Sequence, residues 1–294
     1  MDERAFDLQS EIDRIGARIT KPHAHGSNVL TQLRNFNRLS AAQQQSLPGI
    51  VYAYQEWFEA NDNWRGYMPE IIRQRVEALN RYKDFIESAP FSPQSKFRPS
   101  VLEEFLFYLF RDLLDELNVR AREQAESSKP INIGGIRAYS NLYFAPENFW
   151  TFASSPKMRI NEKDQDFAIY REVRIEADEE CRAINVPVVS VECKTYIDKT
   201  MLEGSIATAE KIKMGNPHCL FLVVTEWYEV SYEVDPKYSR IDQIYVLRRE
   251  KRRVATRHPI YSEVVIDLFD TVHAHLERDW SRIEEKMTRE GKIL

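Results

Sequence analysis

The sequence predicts an α/β fold, a mixed β-sheet flanked by helices, preceded by a helical N-terminal region. Three observations carry this. From about residue 100 the pattern runs helix, three strands, helix, strand, an order that builds a sheet covered by helices. Val186-Pro-Val-Val-Ser-Val-Glu-Cys-Lys-Thr195 reads as a short apolar strand with two charges at its far end. Residues 1 to about 95 carry their apolar side chains at helical spacing.

Composition sets the bounds. The chain has 294 residues, 43% of them hydrophobic and 30% charged, enough for one large core or two modest domains. No run of about 18 apolar residues is present, so no membrane span is expected. Cys181, Cys193 and Cys219 lack metal-ligand spacing, and an odd number of thiols fits a reducing cytoplasm. A net charge of -5 argues against a nonspecific nucleic-acid coat protein. It leaves room for an enzyme whose basic residues gather in one cleft.

In the N-terminal region, Phe6, Leu8, Ile12, Ile15 and Ile19 form one helical stripe. Lys21-Pro-His-Ala-His-Gly-Ser27 breaks it. His23 and His25 on that loop are a weak metal signal, with no carboxylate nearby. Leu47-Pro-Gly49 reads as a turn, and Ile50 to Ala60 as a core helix. Pro69 suits the first position of a helix over Glu70 to Ser88, with Ile72, Val76, Leu79 and Phe85 facing inward. No chemistry is visible here. The region is a recognition subdomain or a packing layer.

Ala89-Pro-Phe-Ser-Pro and Phe97-Arg-Pro-Ser form a Pro-rich joint, which marks the boundary between a region 1–95 and a second region 96–294. Ser100-Val-Leu-Glu103 fits a capping box that opens a helix running to about Ala125. Ile131 to Tyr139 follows as the first core strand, bent at Gly134-Gly135. Ser140 to Asn161 is irregular and aromatic. It is either a packed surface loop or an insertion that approaches nucleic acid with Lys157 and Arg159.

Next comes a hairpin: Asp166 to Ile175, an acidic turn, then Val186 to Lys194. Successive strand residues face opposite sides. Val188, Ser190, Glu192 and Lys194 therefore share one face, and Val189, Val191 and Cys193 the other. Glu192 and Lys194 side by side form an ion pair worth at most about 1 kcal/mol if exposed, or else a chemical site. Asp166 at the start of the preceding antiparallel strand can converge with them. That gathers two carboxylates and a lysine around one point, and the carboxylate oxygens are the donors that a hard divalent cation such as Mg²⁺ takes, with water and phosphate completing the shell.

A helix over Leu202 to Met214 ends at Gly215-Asn-Pro. His218 to Thr225 is a central strand, and Ile241 to Leu247 another. Arg248-Arg-Glu-Lys-Arg-Arg253 is the densest basic run, either a solvated loop or a phosphate contact through Arg248, Arg249, Lys251, Arg252 and Arg253. A last helix covers about Ile260 to Arg289, with His273 and His275 on its surface.

The arrangement of Asp166 with Glu192-Cys-Lys194 resembles the PD-(D/E)xK nuclease superfamily. The text K-D-Q-D-F-A-I, then V-E-C-K-T-Y-I-D-K-T-M-L-E, is similar to type II restriction endonucleases of the BbvCI-like subgroup. The resemblance covers about residues 100 to 230, and the Asp motif lacks the Pro of the superfamily's name. It implies a restriction-endonuclease-like sheet and a Mg²⁺-dependent cut of double-stranded DNA at a short sequence, leaving 5′ phosphates, with Mn²⁺ able to substitute. It implies that Asp166, Glu192 and the Cys193 backbone carbonyl hold the metal and that Lys194 orients the attacking water. A Glu on the first core helix joins them by resemblance. Glu103 fits by face if it does not simply cap the helix, and Glu104 is the alternative. Two sites are needed to cut two strands, so a homodimer or a related second subunit is expected. A repair or RNA-processing nuclease of the same fold, and a non-catalytic DNA-binding subunit, are the competing readings.

Overall fold

The computed structural model describes residues 6–91, 97–125, 128–177, 180–252 and 258–293. Its centre is a five-stranded sheet of β1 (Asn132–Phe144), β2 (Met158–Ala177), β3 (Glu180–Ile197), β4 (Leu220–Tyr228) and β5 (Gln243–Val246), in that spatial order. β1–β2 and β2–β3 pair antiparallel, whereas β3–β4 and β4–β5 pair parallel. The mixed sheet follows from the connections. The tight β2–β3 link forces an antiparallel hairpin, and the helical crossover α7 (Lys199–Gly215) returns the chain parallel.

Strand parity sorts the core into two layers. Phe167, Ile169, Val189, Val191, Cys193, Leu222 and Val224 pack on one face, beneath α5 (Ser100–Gln124) and α8 (Ser262–Glu277). Ala168, Tyr170, Phe221 and Val223 pack on the other against Leu202, Ala209 and Ile212 of α7. The N-terminal helices α1 (Leu8–Arg18), α2 (Ala24–Arg34), α3 (Ala41–Asn63) and α4 (Pro69–Ser88) belong to the first layer, and their buried side chains run without a break into those of α5 and the sheet.

Several expectations change. Leu47-Pro-Gly49 is no turn. Ser40 and Gln43 form a capping box about two turns earlier, so α3 runs through Pro48, with Leu47 and Ile50 buried on either side. The ring costs the helix one backbone hydrogen bond, and burial of the flanking side chains offsets it. Phe85 is 54% exposed because the buried stripe of α4 passes through Tyr82, Lys83 and Ile86 instead. The box expected at Ser100 does not form. Its hydroxyl donates to the Phe97 carbonyl at 3.0 Å and bonds His25 Nδ1 at 3.0 Å.

The segment expected to be irregular is mostly ordered. β1 continues to Phe144, a short helix α6 (Phe149–Ser154) crosses over, and β2 begins at Met158. The C-terminal helix is two, α8 and α9 (Ile283–Glu290). His275 is buried under Trp280, its Nε2 at 3.2 Å from the Val188 carbonyl oxygen. His23 and His25 are buried as well, among the aromatic rings of the helical layer.

Candidate active site

The site arises where two strands part. β2 and β3 are paired from Ala177↔Glu180 up to Phe167↔Val191, and there the ladder stops. Beyond it β2 continues only with β1, in which a bulge between Gly134 and Ile136 accompanies the bend. Gly135 lies so close to the Asp166 carbonyl oxygen that a Cβ would stand 3.2 Å from it. The parting strands open a cleft of about 1000 Å³, with Glu103, Gln165, Asp166, Cys193 and Lys194 in its wall.

Asp166 stands in the fork. Its Oδ2 accepts the Cys193 backbone N–H at 2.9 Å, replacing the ladder bond that β2 would have supplied. The Lys194 ammonium lies 3.6 Å from Asp166 Oδ2 and 3.8 Å from Glu192 Oε2. Glu192 is largely buried, and its Oε2 also accepts the Ser205 hydroxyl from α7. Burial disfavours the Lys194 charge, but Asp166 and Glu192 outweigh it and raise the pKa, so Lys194 is a cation at neutral pH. Burial, reinforced by Asp166 and Glu103, lifts the Cys193 thiol well above its ordinary value. The site therefore holds no thiolate, and its negative groups are carboxylates.

This donor set suits a hard divalent cation. Two carboxylate oxygens already converge on one positive charge. Among the described residues no group of three or more His, Cys, Asp and Glu side chains is placed to hold a metal ion by itself. An open, oxygen-only set that leaves room for water and phosphate is the kind that Mg²⁺ uses.

Glu103 lines the cleft. Glu104 does not: it is fully buried, accepting the Gly26 N–H at 2.8 Å and the hydroxyls of Tyr54 at 3.0 Å and Tyr108 at 2.9 Å. The helix turns these neighbours about 100° apart, which is enough to send one to the cleft and the other into the helical layer.

The basic run does not present a common face. Arg248 is 3% exposed, with Nη2 at 3.0 Å from Glu226 and 3.1 Å from Glu87, so it is not available to a phosphate. It is needed inside to balance those two buried carboxylates. Arg249 lies over Tyr261, Lys251 over Tyr232, and Arg252 over Tyr196, which itself lines the cleft. Arg253 lies outside the described residues.

Sequence reasoning missed Ser205, Lys21 and Asn28. Ser205 had a signal, being a polar residue on the inward stripe of Leu202, Ala209 and Ile212. Lys21 and Asn28 line the cleft from the N-terminal region, and no local pattern marks them.

A family model for the Bpu10I restriction endonuclease matches residues 94–278, which span the whole sheet and the helices α5, α7 and α8 that cover it. The chain belongs to the Bpu10I restriction endonuclease family. This restriction endonuclease also shares its fold with a chain of the native BbvCI A2B2 tetramer. The TM-score is 0.63 at 19% identity, over 88% of this chain and 97% of that one. A comparison with curated protein sequences found no match. At 88% of the chain the structural likeness reaches into the N-terminal helical layer, whereas the family match of the endonuclease begins at the Pro-rich joint.

Proposed function

We propose that this type II restriction endonuclease hydrolyses phosphodiester bonds of double-stranded DNA at a specific short sequence, depends on Mg²⁺ with Mn²⁺ as a substitute, and leaves 5′ phosphates. The observation that carries the proposal is the convergence of Asp166 and Glu192 on Lys194 at the mouth of the strand fork. It lies within the segment matched by the family model.

Asp166 and Glu192 would hold the metal, with the Cys193 carbonyl as a further oxygen donor and Glu103 joining directly or through water. A strand residue projects its N–H and C=O to the same side, so the Cys193 N–H at Asp166 supports that carbonyl role. When bound, the ion lowers the pKa of a coordinated water and stabilises charge on the phosphate and the leaving 3′ oxygen. Lys194, a cation between the two carboxylates, orients the attacking water by donating a hydrogen bond to it. Ser205 fixes the rotamer of Glu192. Glu103 approaches from the α5 side of the sheet, opposite Glu192 and Lys194.

Arg249, Lys251 and Arg252 remain as phosphate contacts in this reading, and Arg252 is the one seated beside the cleft, over Tyr196. Cutting both strands requires two such sites, from a second copy or a related subunit. The A2B2 composition of the BbvCI tetramer supports a related-subunit partner. No helix among the described residues is long and apolar enough to cross a membrane. The proposed DNA substrate, separately, is the reason we place the enzyme in the cytoplasm.

The test is digestion of a long, fully sequenced duplex DNA with Mg²⁺, beside the Lys194→Ala variant. Discrete fragments from the wild type alone are expected. Equal cutting by both would remove Lys194 from the mechanism. A smear from the wild type would remove sequence specificity.

A further inference from the structure

The N-terminal helical layer reaches the active-site cleft at two residues. Lys21 lies in the turn between α1 and α2, and Asn28 lies on α2; both line the cleft that contains Asp166 and Lys194. We propose that Lys21 and Asn28 grip a backbone phosphate of the DNA strand beside the scissile bond, making the helical layer one wall of the substrate site. The inference rests on the DNA-cleaving reading above.

The turn that carries Lys21 is fixed on every side. His23 Nδ1 accepts the Thr20 backbone N–H at 2.9 Å and bonds its hydroxyl at 2.9 Å. The His23 ring packs against Phe58 and Phe107, with centroids 5.2 and 5.0 Å away. Burial lowers its pKa, so at neutral pH the ring is uncharged and free to accept those bonds. Pro22 seats against β1 at Gly134, where φ is +130° and an added Cβ would stand 3.7 Å from the Pro22 Cα. Gly26, at the start of α2, is tied by its N–H to the buried Glu104 carboxylate at 2.8 Å, and an added Cβ there would overlap the Tyr54 hydroxyl.

Against this rigid frame the two polar groups are uncommitted. Lys21 is exposed, and among the described residues it makes no ion pair. The Asn28 amide has no side-chain hydrogen bond to a described residue either. An anchored backbone that presents a free ammonium and a free amide to a cleft is pre-organised for an anion, because little ordering remains to be done on binding. Lys and Asn donate to phosphate oxygens without reading base identity. The wall they form stands on the α5 side of the sheet with Glu103. Glu192, Lys194 and Tyr196 share the opposite strand face. A strand lying in the fork would be held from both sides.

The experiment is fluorescence anisotropy of a fluorescein-labelled, mixed-sequence duplex with the full chain, with Ca²⁺ in place of Mg²⁺, over a series of KCl concentrations. The variants are Lys21→Ala, Lys21→Gln, Lys21→Arg and Asn28→Ala. Loss of one phosphate contact should flatten the slope of log affinity against log salt by about 1 in Lys21→Ala and Lys21→Gln. Lys21→Arg should keep the wild-type slope. Asn28→Ala should weaken binding without changing the slope, since it carries no charge. An unchanged slope and affinity in both neutral Lys21 variants, with a wild type that binds, would overturn this inference alone. A wild type that binds no duplex would overturn the DNA-cleaving reading with it. A purely structural role for Lys21 would lower the melting temperature and leave the slope untouched, which also overturns it.

Discussion

Asp166 Oδ2 accepts the backbone N–H of Cys193 at the point where β2 and β3 cease to pair. A carboxylate thus takes the place of a sheet hydrogen bond. The same contact holds the fork open and aims Asp166 at Lys194.

On the proposed roles of Asp166, Glu192 and Lys194 at one centre, removing any of them should abolish cleavage while sparing the fold. Asp166→Ala, Glu192→Ala and Lys194→Ala should each lower the single-turnover rate by roughly 10³-fold or more, several kcal/mol of barrier. Single-turnover kinetics on a duplex bearing the mapped site checks this. Any one variant with wild-type rate would dismiss that residue.

Ser205 should act through Glu192. Loss of its hydroxyl frees the carboxylate to rotate, and outer partners of metal-holding groups typically contribute about 10-fold or more in affinity or activity. Ser205→Ala should raise the Mg²⁺ concentration for half-maximal rate by about that factor, with a smaller loss at saturation. A magnesium titration that superimposes on the wild type would refute it.

The pH dependence of stability should be shaped by two buried neighbours. Burial pushes the Glu104 carboxyl up from 4.5 to about 7. Its stabilising contribution is full below pH 4.5 and is lost as pH rises through about 7. Burial, aided by Lys83, lowers His25 from 6.5 to about 3. Its contribution is present above pH 6.5 and is lost as pH falls toward 3. Between pH 4.5 and 6.5 the two slopes oppose each other, so wild-type stability should be nearly flat there. Glu104→Gln should expose the His25 slope alone, with stability falling on acidification. Urea unfolding across that range reads it directly; parallel curves for the two proteins would contradict the assignment.

Four charged side chains are sealed between α4, β4 and the end of β5. Lys83 pairs with Glu226 and, at 3.6 Å, with Glu87, and Arg248 bonds both carboxylates. All four are at most 4% exposed. Glu226→Ala would leave Lys83 and Arg248 to share Glu87, with one buried positive charge uncompensated, and should cost about 3–5 kcal/mol. Replacing Lys83 and Glu226 together by apolar residues should restore much of that loss. Chemical denaturation of the single and double variants measures the difference.

The sheet was legible because its evidence is local. Alternation along Val186 to Lys194 placed Glu192 and Lys194 on one face, and the polar start of the preceding strand pointed to Asp166. Pro69 and Gly215 marked helix ends correctly. What the chain hid depends on distant partners. Ser100 looked like a cap, but its hydroxyl is taken by His25, 75 positions away. Arg248 looked like a phosphate contact or a solvated charge, but its counter-charges come from β4 and α4. Glu103 and Glu104 could not be separated until the tyrosines that claim Glu104 were brought beside it. Lys21 entered the cleft only through the packing of Pro22 on Gly134.

The cleft has an acidic balance. Among the described residues in its wall, Glu103, Glu162, Asp164 and Asp166 face Lys21, Arg137 and Lys194, with Glu192 adding a further negative charge beside Lys194. A polyanion meets net repulsion there until a divalent ion reverses the local sign. The proposed function then implies an order of assembly, ion before polymer. On the proposed metal-dependent reading, scarce divalent ions should leave nucleic acid unengaged at this cleft, so the threshold for action would be set by encounter as much as by the bond-breaking step.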